Sequence, residues 1–171
     1  MSSAVPIVME KDAGEFIWFG AGLLTFKVTS EQSGGAYILL EDTMPRGKTT
    51  PLHVHPDHDE TSYLIDGEIT YHMDGMDHPA RAGAVVSVPR GTPHALLVTS
   101  ESATVIAFVT PGDAEAFYRE AGEPAPGRIA PPEGTPLDID RIVGAGKRTG
   151  FMNALGPPPF TRDGASHADS V

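Results

Sequence analysis

The sequence predicts an all-β domain, folded as a sandwich or barrel, and three observations predict it. From Phe16 to Val109 the chain is a succession of short runs rich in β-branched and aromatic residues. Turn residues separate those runs, among them two Asp-Gly pairs, a strong hairpin signal. Glycine (19) and proline (16) are abundant enough to punctuate many short strands. The 171 residues suffice for one domain with a sizeable core, and no internal repeat at a fixed period divides them.

The elements follow in order. Residues 1–15 form an N-terminal arm with some extended character. Strand-like runs then occupy Leu23 to Val28, Ala36 to Leu40, Ser62 to Ile65, Ile69 to Met73, Ala84 to Val88 and Thr104 to Val109. Between them lie Ser33-Gly34-Gly35, Pro45-Arg46-Gly47, Asp66-Gly67, Asp74-Gly75 and Pro89-Arg90-Gly91. The barrel thus spans 16–110, and a helical and Pro/Gly-rich extension spans 111–160. In that extension Asp113 is placed to cap a helix from Ala114 to Ala121, which Gly122 ends. Residues 123–136 read as a strap or linker, Leu137 to Lys147 as a second, weaker helix, and 161–171 as a loose, disordered tail.

Charge and composition exclude several functions. A net charge of −11 argues against nucleic acid and against anionic membranes, both of which call for a basic footprint. No apolar run approaches the ~20 residues a membrane helix needs. The N-terminus has no basic region followed by an apolar stretch, so no signal peptide is expected. Cysteine is absent, which removes disulfides and thiolate metal sites and agrees with a cytoplasmic location. Any metal must be held by histidine and carboxylate.

His53 and His55 supply such a site in outline. They are two residues apart in Pro51-Leu52-His53-Val54-His55-Pro56, so on a strand both imidazoles face one way. Pro56 ends the strand, and the chain can return to bring Glu60 beside them. Two neutral imidazoles and a carboxylate suit a transition metal.

The wider pattern resembles a known family. Gly47, five residues, His53, one residue, His55, four residues, Glu60, six residues and Gly67 reproduce the first motif of the cupin superfamily. Gly83, five residues, Pro89-Arg90-Gly91, two residues and His94 resemble its second motif, fifteen residues further on. With Ser33-Gly34-Gly35-Ala36 and Val109-Thr110-Pro111-Gly112, the chain is similar to bacterial single-domain cupins described as quercetin 2,3-dioxygenase-like. The resemblance implies a double-stranded β-helix, or jelly-roll barrel. It implies one divalent transition metal (Fe, Mn, Ni, Co or Zn) held by His53, His55, Glu60 and His94. One departure is Val98, four residues after His94, where the second motif often has Asn. Val98 shares strand parity with His94, so the pocket there is expected to be more apolar.

On this resemblance the leading expectation is an oxygenase acting with dioxygen on a small enolisable aromatic substrate. Glu60 would be the general base that deprotonates a flavonol enol, before ring cleavage and loss of carbon monoxide. Leu64, Leu96, Val98 and Phe26 are candidates for the apolar pocket wall or, equally, for barrel core. Two alternatives stand beside it. One is an isomerase or cyclase that stabilises an enolate without oxygen; the other is a barrel that binds a small ligand without turnover.

Other residues receive lesser expectations. Asp57 and Asp59 lack the motif spacing. His58 is expected to be solvated, and His72 either lines the pocket or faces solvent. His78 and His167 receive no role. Phe117 and Tyr118 are expected to anchor their helix, and Trp18 to pack. A homodimer that exchanges N-terminal strands is expected from the need to cover an open sheet edge. The C-terminal segment is an alternative cover, as a lid over the barrel mouth.

Overall fold

The computed structural model describes residues 4–160. Twelve strands and two α-helices follow in order: β1 Glu15–Phe19, β2 Gly22–Val28, β3 Ile38–Pro45, β4 Leu52–Val54, β5 Asp59–Asp66, β6 Glu68–Met73, β7 Met76–Arg81, β8 Val85–Val88, β9 His94–Val98, β10 Ser102–Thr110, α1 Glu115–Ala121, β11 Glu123–Pro124, α2 Ile139–Thr149 and β12 Asn153–Gly156. They form a seven-stranded sheet, β11-β1-β2-β3-β10-β5-β8, and a five-stranded sheet, β12-β4-β9-β6-β7. All pairings are antiparallel, and the sheets face each other as a jelly-roll barrel.

Register decides which side chains enter the barrel. On the larger sheet Ile38, Val109 and Glu60 share one cross-strand row. Leu40, Ala107 and Ser62 form the next, and Asp42, Val105 and Leu64 the one after. Because strand side chains alternate, these three rows face the interior together. On the smaller sheet His53 pairs with His94, Tyr71 with Leu96 and Ile69 with Val98.

Two apolar clusters result. One lies between the sheets around Met44, Leu64, Ile69, Val86, Val98 and Val105. The other joins the larger sheet to the C-terminal segment through Leu24, Phe26, Ile38, Phe117, Ile142 and Phe151. The extension is therefore part of the barrel wall: β11 pairs with β1, and β12 pairs with β4, placing Ala154 opposite His53. The strap between the helices is fastened by Trp18 Nε1 donating to the Ile129 carbonyl (2.8 Å) and by Arg128 bonded to Glu41 (2.6 Å). Part of the N-terminal arm is tied to its own chain, since Lys27 Nζ donates to the carbonyls of Glu10, Lys11 and Ala13.

Several local expectations are corrected. Asp74-Gly75 does turn a hairpin, with both residues at positive φ between paired Met73 and Met76, as a type I′ turn requires. Asp66-Gly67 does not, because β5 and β6 belong to different sheets. Gly67 is instead the corner where the chain changes sheet. Its φ is 83°, and an added Cβ would stand 2.2 Å from the Ser102 carbonyl oxygen. Gly67→Ala should destabilise the protein by about 3 kcal/mol or more, from left-handed strain plus a backbone collision. Urea unfolding would read this, and a loss below about 0.5 kcal/mol would show that the corner yields freely.

β7 has no apolar run in its sequence and carries Pro79. It survives as a strand because it lies at the sheet's edge, where a missing N–H is tolerated. The first helix begins with a 3₁₀ turn at Gly112–Ala114 and has no side-chain cap, because Asp113 is engaged elsewhere. The second starts two residues later than expected, where Asp138 accepts from the Arg141 amide (2.9 Å).

Candidate metal centre

Three imidazoles meet inside the barrel. His53 comes from β4, His94 from its partner β9, and His55 from the turn after β4. All three are buried, and one ring nitrogen from each lies within 4.8 Å of the other two. Backbone carbonyls fix their tautomers. His53 Nδ1 donates to Pro51 O (2.8 Å), His55 Nδ1 to Phe151 O (3.0 Å) and His94 Nδ1 to Thr92 O (2.9 Å). A carbonyl only accepts, so each Nδ1 carries the hydrogen and each neutral ring presents an Nε2 lone pair to the others.

That arrangement calls for a cation. His55 Nε2 is buried and has no hydrogen-bond partner among the described residues. It lies 3.4 Å from Glu60 Oε2, so a lone pair faces a carboxylate. A cation between them would relieve that contact, and three imidazole donors with outer hydrogen bonds to backbone suit a divalent transition metal. His53, His55 and His94 would hold it, with Glu60 at its edge. Glu60 stands outside the mutually close set of three.

The charges agree with this assignment. His53 is pushed down from the ordinary imidazole value to about 3, first by burial and then by His94 and His55. Burial also lowers His94, against the opposing charge of Glu60. Burial alone would raise Glu60, but the imidazoles around it, His55 first and then His94 and His53, outweigh burial and hold its carboxyl at about 2. Both kinds of shift act in one direction. Unfolded histidine takes a proton near 6.5, whereas folded His53 and His94 resist it, so the folded state binds fewer protons below that pH. Their contribution is complete above about 6.5 and falls by up to about 1.4 kcal/mol per histidine per pH unit below it. Glu60 adds stability that is present above about 4.5 and is lost as the pH falls towards 2. Urea midpoints of chelated protein should therefore fall from pH 7.5 to 5.5, and a flat profile would mean that the folded rings accept protons freely.

The histidines open into a cavity of about 90 Å³. Its walls are mostly apolar: Leu40, Leu96, Val105, Phe117, Tyr118, Ile142, Phe151 and Met152 among others. Of the four residues expected in the wall, Leu96 lines it. Leu64, Val98 and Phe26 do not; each is at most 1% exposed and packs within an apolar cluster. Leu64 and Val98 share the inward parity of Glu60 and His94 but lie further along their strands, packed within the apolar cluster between the sheets. Phe26 lies under the C-terminal helices.

Several residues reach the site unforeseen. Phe117 and Tyr118 do more than anchor α1, for both line the cavity. Phe151 stacks on Phe117 (centroids 4.6 Å), packs against His55 (4.2 Å) and supplies that ring's carbonyl acceptor. Tyr71 enters as the cross-strand neighbour of Leu96. Burial, with the charges of Glu60 and Asp42, raises both the Tyr71 and Tyr118 phenols, so both remain protonated donors. Strand parity from Leu96 would have found Tyr71 once register was known. Nothing local in the sequence marks Phe151.

The lesser candidates also resolve. His58 is buried rather than solvated: its Nε2 meets Asp113 Oδ1 at 2.9 Å, and its ring packs on Phe151. His72 is buried on the strand face opposite Tyr71, bonded to Asp77 (2.8 Å). Asp59 is held at about 2 by its hydrogen bonds from Arg90, which explains why it offers nothing to the histidines. Asp57 and His78 are exposed, and His167 lies outside the described residues.

Barrel, motif glycines and histidine centre together define a cupin domain. The Cupin domain family matches residues 40–111, and the chain belongs to the cupin superfamily. Quercetin 2,3-dioxygenase of Bacillus subtilis (strain 168) is 31% identical over 140 residues, 82% of this chain and 42% of that protein. The chain thus spans less than half the length of that relative. Among solved structures, ectoine synthase from P. lautus matches with a TM-score of 0.58 at 20% identity, covering 78% of this chain and 98% of that one. An RmlC-like cupin from Shewanella frigidimarina NCIMB 400 matches at 0.52 and 19%, covering 65% and 95%. At these identities the two structures show a shared fold. No helix among the described residues is long and apolar enough to cross a membrane.

Proposed function

We propose that this chain is a metal-dependent cupin oxygenase resembling quercetin 2,3-dioxygenase, acting with dioxygen on a small, enolisable, aromatic substrate. The observation that carries the reading is the convergence of three Nε2 lone pairs and the Glu60 carboxylate at one end of an aromatic-walled cavity. The likeness to the Bacillus subtilis enzyme, over most of this chain's length, supports the choice of reaction.

A metal bound by His53, His55 and His94 would supply a Lewis acid for an enolate oxygen. The chain's own groups do the rest. Glu60, ionised at neutral pH, is placed to accept the enol proton. Phe117, Phe151 and Tyr118 offer flat apolar faces to an aromatic ring and exclude water from it. Tyr71 and Tyr118 provide protonated hydroxyls that can steady a developing oxyanion.

The test is turnover of quercetin by protein reconstituted separately with Fe(II), Mn(II), Ni(II) and Co(II). The expected result is stoichiometric oxygen uptake with carbon monoxide release. Conversion at an equal rate without oxygen would replace this reading with an isomerase or cyclase. Binding without conversion under any metal would leave a ligand-binding barrel.

A further inference from the structure

The cavity has a second polar feature that the metal centre does not use. Asp42, on the inward face of β3, and Lys48, just beyond that strand, both line it. Lys48 Nζ donates to Asp42 Oδ2 (2.9 Å) and Oδ1 (3.2 Å) and to the Phe19 carbonyl (3.1 Å). The pair is nearly dry, with side chains 3% and 13% exposed. Lys48 also borders an outer groove beneath residues 130–135, whereas none of the three histidines does. The pair therefore marks the groove end of the cavity and the histidines the other.

A buried ion pair in an apolar wall is not needed for stability, since apolar residues of similar volume serve as well or better. Its place in the cavity wall makes it a candidate for recognition. A carboxylate has about four acceptor positions, and among the described residues Asp42 accepts hydrogen bonds from Lys48 alone. Acceptor capacity thus remains towards the cavity. Burial raises the Asp42 carboxyl, and the nearby Lys48 opposes that rise.

We propose that Asp42 and Lys48 form a second recognition point, which binds a phenolic hydroxyl on the aromatic substrate remote from the enol. The hydroxyl donates to Asp42, and Lys48 holds that carboxyl group in place. The proposal deepens the oxygenase reading and rests on it for the kind of substrate. It narrows that substrate to a hydroxylated aromatic.

The test compares quercetin with 3-hydroxyflavone, which has the same ring skeleton and enol but none of the other hydroxyls. Affinities are read by Trp18 fluorescence quenching and by calorimetry on chelated, full-length protein, so no turnover is needed. The native chain should favour quercetin by about tenfold or more, as befits a hydrogen bond to a charged group. The double variant Asp42→Leu/Lys48→Met, which removes both charges at once, should bind the two flavonols within about twofold of each other. If that variant fails to fold, Asp42→Asn should lose the preference by a similar factor. A preference for quercetin that persists in the folded variants overturns the proposal, and it does so alone if oxygen uptake is observed. Loss of the preference with no oxygen uptake under any metal leaves the recognition point standing and removes the oxygenase reading. No binding of either flavonol by the native chain, whether chelated or loaded with each metal in turn, overturns both.

Discussion

His94→Ala should leave the protein folded and without its metal. The imidazole presents Nε2 to a site that three rings share, and its Nδ1 is already committed to the Thr92 carbonyl. No other described histidine, cysteine, aspartate or glutamate joins those rings in a mutually close set, so the lost ligand has no substitute. Loss of an outer hydrogen-bond partner alone costs roughly 10–100-fold in metal affinity, and loss of the ligand itself should cost more. Elemental analysis after desalting should find about one divalent ion per native chain and less than about a tenth of that in His94→Ala or His53→Ala. Stability offers an independent reading. Metal at about a thousand times its dissociation constant adds roughly 4 kcal/mol to the native chain. That increment should vanish in either variant, while the chelated forms differ little, since the apo cavity gains nothing from three opposed lone pairs. An unaltered metal content in His94→Ala would move the site elsewhere.

The two histidines of β4 and its following turn were legible because a strand's period of two needs only local sequence to set both rings on one face. Glu60 was legible from the turn at Pro56, and His94 through the resemblance of its motif. Position along a strand was not legible. Leu64 and Val98 have the inward parity that made them pocket candidates, yet they lie where the sheets meet and are wholly packed. Parity gives the face, and only the depth of the cavity gives the use of that face. The same holds for Asp66-Gly67, whose turn chemistry is sound but whose partner strands lie in different sheets. Contacts made across the chain were the least legible. Phe151 closes on His55 from 96 residues away, and Asp113, expected at a helix cap, bonds His58 instead. A cap is a local preference worth about 1 kcal/mol. A buried imidazole without a partner costs at least as much, so the tertiary contact prevails.

Glu60→Gln should separate proton transfer from metal binding. The side chain keeps its shape, and the three histidines retain the ion, so metal content should remain close to one per chain. The amide can donate to His55 Nε2 and so competes modestly with the metal for that lone pair. What the variant loses is the ionised carboxylate beside the histidines, the group placed to accept the enol proton. Turnover of an enolisable substrate should fall roughly 10²–10⁴-fold, the usual contribution of a positioned base. The chelated protein gives a second reading that a merely structural role would not move. Glu60 is the charge that opposes the burial-driven lowering of His94, so its removal should drive the His94 titration to still lower pH, as followed by imidazole proton resonances. Full turnover with metal retained would mean that the enol proton leaves by another route. Asp42 is the other carboxylate lining the cavity, and Asp42→Asn under the same assay would then show whether it has any part in that route.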